Sequence, residues 1–448
     1  MAQLNLSEPP FDAFRSTMTV AAQGKDTVGN SGSGSATFNV TRWKWTFDAQ
    51  GGIKSTPAVG QLGTIYFGTE SGSAGRVLAL GQDGSKKWEK AVGPVLGSPA
   101  IGVWNSSSEL VYVAGSSTSS ATLYALDSAV GDIVHQCTFS TASASVVGAT
   151  AVLDTTIASS PVETGLFVLN NYGSTFGIRP DAVGSQTLEC VRLDNSRTMP
   201  SLTTNGSLVV ENTGAFYYPT ETKRMVKYVV ESGATLRWSA DPSAQRLFGL
   251  ALVGDRVIGS GGIDFDQGGL FAVPREPSST PGTVSALPET ATGRINQFVA
   301  GVDGKIYFGQ ETASSQGRLV QYDLTSTRVG TFVPNTGVFQ SAPVLGIGNL
   351  LYTLSTAGEV GAWSTPNLSS KWGLSALGAT SASLTLDCAR DSGGTPKSGP
   401  GVLYVPAGGK LYAFVVDSRG LDTSAPWPKY QHDSRNTGNP ATPITSCP

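Results

Sequence analysis

The chain has 448 residues, a formal net charge of −3 and only 14% charged residues. This near-neutral charge comes without a basic cluster, which excludes the electrostatic pattern of a nucleic-acid-binding protein. No apolar run reaches the roughly 18 residues that indicate a transmembrane helix. Fifty-five glycines and the lack of sustained helical periodicity predict an all-β chain of short strands and tight turns.

The first 41 residues predict a β-hairpin. Residues 16–22 and 36–40 read as strands around the turn Asp-Thr-Val-Gly-Asn at 26–30. This pair resembles the final hairpin of a bacterial immunoglobulin-like domain, so we expect residues 1–41 to be a remnant or linker from a larger envelope protein. Two strands are not stable alone in water, and the hairpin should dock on the remainder or stay loose.

Residues 42–48, Arg-Trp-Lys-Trp-Thr-Phe-Asp, read as an extra outer strand that contains Trp43 and Trp45. They precede the first copy of a repeat, whereas the last copy ends without an outer strand of its own. We expect the early strand to complete the last blade and close a ring, because closure removes an exposed sheet edge.

A four-strand phrase then recurs about every 43 to 50 residues, first at 53–92. A period of this size with short Val/Ile/Tyr strands predicts a β-propeller over residues 42–420. Eight inner strands are expected, so the fold class is an eight-bladed propeller of four-stranded antiparallel blades. They are predicted at 55–59, 97–101, 147–152, 199–203, 248–253, 297–300, 340–345 and 380–386.

Tryptophan marks the outer strands. Trp88, Trp238 and Trp372 each follow a turn, and Trp43 and Trp45 occupy the extra copy of that strand. A large flat side chain at this position suits the covering of a neighbouring blade. We therefore assign these tryptophans a structural role.

Two phrases carry a family resemblance. Ser-Pro-Ala-Ile at 98–101 and Leu-Tyr-Ala-Leu-Asp at 123–127 resemble the pyrroloquinoline-quinone-like propeller repeat. The resemblance implies the fold, since most members have eight blades. It leaves function open, since the repeat serves quinone dehydrogenases, an outer-membrane assembly lipoprotein and secreted binding proteins.

The tail at 427–439, Trp-Pro-Lys-Tyr-Gln-His-Asp-Ser-Arg-Asn-Thr-Gly-Asn, resembles a segment found at the end of secreted bacterial propellers. We expect residues 421–448 to form a plug in which Trp427 and Tyr430 are buried. His432 and Asp433 would then satisfy loop backbone groups, together with Asn436. A catalytic His432–Asp433 dyad is the alternative, disfavoured because no nucleophile-elbow serine accompanies it and adjacent residues orient each other poorly.

The cysteines indicate the compartment. Cys137, Cys190, Cys388 and Cys447 are far apart and form no CxxC motif. Three pairings are possible, and we favour Cys137–Cys190 with Cys388–Cys447, which would join neighbouring segments; buried free thiols are the alternative. Disulfides would place the protein in an oxidising compartment, namely secreted, periplasmic or at the cell surface of a Gram-negative bacterium.

The resemblance implies a rival function, that of a quinone-dependent dehydrogenase with pyrroloquinoline quinone on calcium beside stacking aromatics. The chain lacks the adjacent cysteines of the alcohol-oxidising members and is shorter than they usually are. We therefore expect no catalytic residue, no cofactor and no metal site. We predict a monomeric, non-enzymatic, adhesion-type module that binds a protein or a glycan through face loops at 116–121, 154–164, 275–281 and 391–399.

Overall fold

The computed structural model describes residues 17–39, 41–104, 108–116, 120–140, 151–152, 166–169, 175–180, 188–192, 208–219, 225–230, 234–242, 247–264, 267–279, 281–313, 316–334, 336–375 and 377–448. Strands dominate these ranges, and their one helical turn is the 3₁₀ turn Val302–Gly304. The prediction of an all-β chain is confirmed. Within the same ranges no helix is long and apolar enough to cross a bilayer.

The N-terminal hairpin pairs β1 (Thr17–Lys25) with β2 (Ser31–Asn39) in an antiparallel two-stranded sheet. Its turn is held by Asp26, whose Oδ1 accepts hydrogen bonds from the N–H groups of Val28 (3.0 Å) and Asn30 (2.8 Å). Such an Asx turn accounts for the Asp-x-x-Gly-Asn sequence. Nearly every described side chain of the hairpin is exposed, so it buries little surface.

Four sheets follow β3 (Trp43–Asp48) along the chain, and in each of them neighbouring strands are consecutive in sequence. Sheet 1 holds β4 (Ala58–Val59), β5 (Ile65–Gly68), β6 (Arg76–Leu80) and β7 (Lys86–Ala91). Sheet 2 holds β8 (Ala100–Trp104), β9 (Ser108–Ser116), β10 (Ser120–Asp127) and β11 (Ile133–Ser140). Sheet 3 holds β12 (Ala151–Val152), β13 (Leu166–Leu169), β14 (Thr175–Pro180) and β15 (Leu188–Arg192). Sheet 4 holds β16 (Val209–Val210), β17 (Ala215–Pro219), β18 (Met225–Val230) and β19 (Ala234–Ala240).

Four further sheets complete the described fold. Sheet 5 holds β20 (Leu247–Val253), β21 (Arg256–Asp264) and β22 (Gln267–Pro274). Sheet 6 holds β23 (Arg294–Ala300), β24 (Lys305–Ala313), β25 (Gln316–Asp323) and β26 (Arg328–Pro334). Sheet 7 holds β27 (Val344–Gly346), β28 (Leu350–Leu354), β29 (Val360–Ser364) and β30 (Ser370–Leu374). Sheet 8 holds β31 (Thr385–Asp387), β32 (Val402–Ala407) and β33 (Lys410–Val415), with β3 as its outermost strand.

The early strand β3 is antiparallel to β33, with Phe47 opposite Leu411. Arg42 reinforces this edge through two hydrogen bonds of 2.9 Å to the carboxylate of Asp417. The N-terminal strand therefore belongs to the last sheet, as its sequence predicted. The first strands of sheets 1 to 5 contact one another in turn, β20 contacts β23, and β31 contacts both β27 and β4.

Two expectations about strands need correction. Sheet 5 has three strands, because Pro277, Pro281 and Pro288 remove the N–H groups that a fourth strand would need. The edge of β22 is instead covered by the following segment, where the N–H of Leu287 donates to the carbonyl of Leu270 at 2.6 Å. The inner strand of sheet 4 is β16, whereas the predicted 199–203 lies outside the described residues.

Four outer-strand tryptophans join neighbouring sheets, namely sheet 8 to 1, sheet 1 to 2, sheet 4 to 5 and sheet 7 to 8. Their indole N–H groups donate from Trp45 to Gln82 O (2.7 Å), Trp88 to Ser128 O (3.0 Å), Trp238 to Arg275 O (3.0 Å) and Trp372 to the Asp417 carboxylate (2.9 Å). Gly131 leaves room for one of these rings, since a Cβ there would lie 2.6 Å from Trp88. Trp43 differs: its side chain is 57% exposed, and the register of β3 shifts between Trp43 and Trp45.

Candidate functional site

The C-terminal segment, residues 417–448, lies against the inner strands and accepts their hydrogen bonds. The donors are equivalent backbone N–H groups of six sheets: Val59 to Ser434 O (2.7 Å), Ile101 to Arg435 O (2.9 Å), Val152 to Thr437 O (2.8 Å), Val210 to Gly438 O (3.0 Å), Ala300 to Trp427 O (2.9 Å) and Leu345 to Pro428 O (2.8 Å). Buried backbone donors need partners. The segment supplies them where the inner strands converge.

The aromatic residues of the segment are buried, with Trp427 and Tyr430 each 2% exposed. The Trp427 ring meets His432 edge to face, with ring centroids 5.1 Å apart. His432 Nδ1 lies 3.3 Å from Asp433 Oδ2, and Asp433 also accepts the N–H of Arg435 at 2.8 Å. Since His432 and Asp433 are 4% and 1% exposed, this pair shapes the segment and offers a substrate no access.

Asn436 connects the segment to sheets 1 and 2. Its amide Nδ2 donates to the carbonyl oxygens of Thr56 (3.1 Å) and Pro99 (2.9 Å). Both carbonyls belong to the turns that lead into inner strands. Asn436 therefore takes the role of satisfying loop backbone groups, while Asp433 and His432 bond within the segment.

Lys429 is a buried residue that sequence reasoning missed. Its Nζ donates to the carbonyls of Tyr430 (2.8 Å) and Asp433 (3.0 Å) and to Oδ1 of Asn436. Burial lowers the pKa of Lys429 to about 7, and the charge of Asp433 opposes that shift. The only signal in the sequence was the position of this lysine between Trp427 and Tyr430, two aromatic residues that were expected to be buried.

A disulfide fastens the end of the segment. Cys447 is bonded to Cys388, which directly follows β31, 59 residues earlier in the chain. This pairing was predicted and is confirmed. Cys137 is also disulfide-bonded, and its strand β11 contacts β15, the strand of Cys190. The Cys190 side chain lies outside the described residues, so the Cys137–Cys190 pairing stays a prediction.

A cavity of about 750 Å³, the funnel, lined by both polar and apolar side chains, opens at the other end of the inner strands. Its lining includes Lys54 and Ser381, which precede β4 and β31, and the turn 355–359 between β28 and β29. The C-terminal segment bonds farther along the same inner strands, for example at Val59. The segment and the funnel therefore lie on opposite sides of the sheets' centre.

The charges of the funnel do not cancel. Lys54 Nζ is paired with Glu70 Oε1 at 2.6 Å, and Arg294 is paired with Glu311. Glu359 is exposed, and its Oε2 accepts a hydrogen bond from Ser355 Oγ at 3.3 Å. No cation pairs with Glu359 within the described part of the chain, so the funnel carries a surplus negative charge.

Pyrroloquinoline quinone on calcium would need an aromatic ring to stack on and a set of oxygen ligands in the funnel. Its described lining contains glycine, aliphatic, hydroxyl, amide and charged side chains and no aromatic ring that could stack on a quinone. Calcium takes six to eight oxygen ligands. No group of three or more His, Cys, Asp or Glu side chains able to hold a metal occurs among the residues that the structure describes. This lining does not fit the cofactor.

The predicted contact loops have other partners. In loop 275–281, the carbonyl of Arg275 accepts a hydrogen bond from Lys227, which also pairs with Glu276. Next to loop 391–399, the buried Arg390 binds Asp387 at 2.7 Å and the carbonyl of Gln61 at 2.7 Å. Both loops are thus anchored to the sheets. Loop 154–164 lies outside the described residues, and loop 116–121 is described only at its ends.

No family model matches the sequence, and no curated protein matches it. Solved structures of similar shape include BamB from Moraxella catarrhalis, with a TM-score of 0.57 and 12% identity over 84% of this chain and 100% of that one. Sqt1 from Saccharomyces cerevisiae has a TM-score of 0.59 and 12% identity over 85% of this chain and 100% of that one. Quinohemoprotein alcohol dehydrogenase from Comamonas testosteroni has a TM-score of 0.56 and 14% identity over 84% of this chain and 76% of that one.

At identities this low, the likeness concerns the fold. The chain has a β-propeller fold, consistent with the predicted pyrroloquinoline-quinone-like repeat. Because the similar structures include a dehydrogenase alongside BamB, the likeness leaves open whether this chain is an enzyme. The immunoglobulin-like origin of the N-terminal hairpin stays a prediction.

Proposed function

We propose that this protein is a monomeric, non-catalytic binding scaffold that acts outside the cytoplasm and engages a protein or glycan through the funnel side. The observation that carries the proposal is the position of the C-terminal segment. It fills one end of the centre with buried side chains and leaves the funnel open at the other. Concave sites that combine apolar lining with a few polar groups on a rigid scaffold commonly serve binding.

The proposed scaffold is a closed ring of eight blades, one for each of sheets 1 to 8. Contacts between the last and the first sheet support closure: the N–H of Ser383 donates to Thr56 Oγ1 at 3.1 Å, and Thr385 Oγ1 donates to Pro57 O at 2.6 Å. Side chains of both sheets also share one hydrophobic cluster. The boundaries 42–420 for the ring and 421–448 for the plug remain part of this proposal.

The proposed location is the periplasm, the cell surface or the exterior. The Cys388–Cys447 disulfide supports it, because structural disulfides persist mainly in oxidising compartments. We further propose an adhesive or scaffolding role within a larger envelope protein, a role that the proposed location and the hairpin before the ring support.

The test is capture from an envelope extract and a glycan array by the immobilised full chain. Ala357 and Ala379 are exposed and line the funnel, so Ala357→Arg with Ala379→Arg should reduce capture at least about tenfold. Ser392→Arg, exposed in loop 391–399, is the matched control and should capture normally. Equal loss in both variants would refute the assignment of the binding side.

The rival function is a quinone-dependent dehydrogenase. The alcohol dehydrogenase among the structures of similar fold is the observation that favours it. Pyrroloquinoline quinone with calcium and an artificial electron acceptor should give no dye reduction with a panel of alcohols and sugars. Turnover in that assay would overturn the non-catalytic proposal.

A further inference from the structure

Sheet 7 departs from the repeat in its third strand. In sheets 1, 7 and 8, an alanine of the third strand lies opposite the outer-strand tryptophan: Ala79 to Trp88, Ala362 to Trp372 and Ala413 to Trp45. The residue before this alanine is Leu78 in sheet 1 and Tyr412 in sheet 8. In sheet 7 it is Gly361.

The change from large to small residues in sheet 7 extends across the neighbouring strands. Residues opposite each other on neighbouring strands project to the same face. The equivalent rows are Phe67, Leu78 and Glu89 in sheet 1, Phe308, Val320 and Phe332 in sheet 6, Val405, Tyr412 and Thr46 in sheet 8, and Thr353, Gly361 and Gly373 in sheet 7. In sheet 7 only small side chains occupy this row, and a groove of about 390 Å³ lies between this face of the sheet and sheet 6.

The groove is lined by apolar and hydroxyl side chains, with an aromatic floor. Its apolar lining includes Val333, Phe339 and Trp363. Gly361 makes the floor possible, because a Cβ there would lie 2.6 Å from Trp363 Nε1. The indole N–H is already used, since it donates to Thr353 Oγ1 at 3.0 Å. The half-buried ring therefore offers its apolar surface to an incoming group.

Glu359 lies where the groove meets the funnel, since it lines both cavities. It lies in the turn just before β29, two residues before Gly361. Its carboxylate has the Ser355 hydroxyl as its hydrogen-bond partner, and the nearby cation Lys54 is held by Glu70. The apolar groove thus ends at a carboxylate without a compensating charge.

We infer that the groove and Glu359 together dock a peptide segment of a protein partner, in which a large apolar side chain is followed by arginine or lysine. The apolar side chain fills the space over Gly373 beside the Trp363 ring, and the cation pairs with Glu359, bidentately where it is a guanidinium. The surplus charge favours a basic peptide over a neutral glycan, which would leave Glu359 uncompensated. The inference rests on the proposed function and names the partner of the funnel side.

The test uses 12-residue Gly/Ser peptides that carry a central Phe-Arg, Phe-Gln or Ala-Arg pair, titrated calorimetrically into the full chain at low salt. We expect Phe-Arg to bind best and Phe-Gln about twofold to fivefold more weakly. Glu359→Gln should remove that difference. Gly373→Val should weaken both phenylalanine peptides more than tenfold, and a Cβ at 373 meets only Val360 O, at 3.5 Å, so this variant should fold.

Asp255→Asn is the matched control, because Asp255 is an exposed carboxylate on sheet 5, and it should bind all three peptides as the wild type does. Equal affinity of the wild type for the three peptides, no detectable binding, or unchanged binding by both groove variants would each overturn the inference. Glycan binding that Gly373→Val abolishes would also overturn it, in favour of a carbohydrate site. If peptides fail while capture from extract persists, only this inference fails; loss of both refutes the proposed function.

Discussion

The two ends of the chain are held in opposite ways. The N-terminal hairpin has complete strand pairing from Thr17 opposite Asn39 to Lys25 opposite Ser31, yet a Cβ added at Gly24 or Gly32 would meet nothing within 4 Å. The C-terminal segment has no strand of its own, yet most of its residues are buried. Its contacts reach six sheets.

This difference shows that a segment with regular strand pairing can have few contacts with the rest of the protein, and that an irregular segment can have many. The hairpin satisfies its own backbone and buries little apolar surface, so it contributes little to the stability of the remainder. The C-terminal segment satisfies the backbone of other elements and adds buried aromatic rings. We therefore expect the stability of the protein to depend on the irregular end and not on the regular one.

Removal of residues 417–448 should have the largest effect. It strips the acceptors from six inner-strand N–H groups and the buried rings of Trp427 and Tyr430 from the centre. We expect no soluble folded protein, or a Tm lower by more than about 10 °C in calorimetry. A truncated chain that melts with the intact one would show that the segment merely covers a stable ring.

Two N-terminal deletions should separate the hairpin from the closing strand. Removal of residues 1–40 should shift Tm by less than about 2 °C, because the hairpin is exposed. Removal of residues 1–48 also takes β3 and the buried Trp45, and Tm should fall by about 5 °C or more. Equal Tm values for the two deletions would contradict the role given to β3.

Loss of the Cys388–Cys447 disulfide should cost about 4 kcal/mol of unfolding free energy, by loop-closure entropy for a separation of 59 residues. The measurement is denaturant unfolding of the double variant Cys388→Ser, Cys447→Ser. The wild type in reductant serves as a second arm. Identical midpoints for the oxidised wild type and the variant would mean that the tail is held without the bridge.

Asn436→Ala should cost about 2 to 3 kcal/mol, because it leaves the carbonyls of Thr56 and Pro99 and the amine of Lys429 short of a partner in a buried site. Asn30→Ala in the exposed hairpin turn removes a comparable amide and should change stability by less than about 0.5 kcal/mol. Chemical denaturation of both variants gives the comparison. Similar costs would remove the contrast between the two ends.

The smallest expected effect is a pH dependence from Lys429. Burial brings its folded-state pKa to about 7, whereas an unfolded lysine titrates near 10.5. Unfolding between these values takes up a proton, so the free energy of unfolding rises from pH 7 towards pH 9, by at most about 1.4 kcal/mol per pH unit. Lys429→Met should flatten this slope. Parallel slopes for wild type and variant would show that Lys429 stays protonated in the folded chain.

The repeat and its outer strands could be predicted because they follow local rules. Short apolar strands recur in the sequence, and tryptophan recurs in the outer strands of four sheets. The early strand with Trp45 could be matched to the last sheet because the last repeat lacked an outer strand. The prediction of a fourth strand in sheet 5 was wrong, because it assumed that every repeat has four strands. Pro277, Pro281 and Pro288 argued against a strand in this interval. The exposure of Trp43 could not be predicted, because it depends on the register shift that β3 makes where it pairs with β33.

The site was less predictable. Burial of Trp427 followed from its chemistry, but the role of Lys429 depends on three oxygens that meet only in the folded segment. The two glycines Gly361 and Gly373 are visible in the sequence, where Gly361 takes a position that holds a larger residue in other repeats. Only the register of β29 and β30, which a single sequence does not give, shows that they lie opposite each other.

The hydrogen bond from Asn436 to Thr56 joins residues 380 positions apart. During synthesis, the first sheets therefore leave the ribosome long before the residues that seal their inner strands exist. Contacts of such long sequence separation slow folding. With the proposed location outside the cytoplasm, this delay would suit an exported chain, because the inner-strand N–H groups gain their acceptors only when residues 427–438 have been made, and Cys447 joins Cys388 only where an oxidant is present.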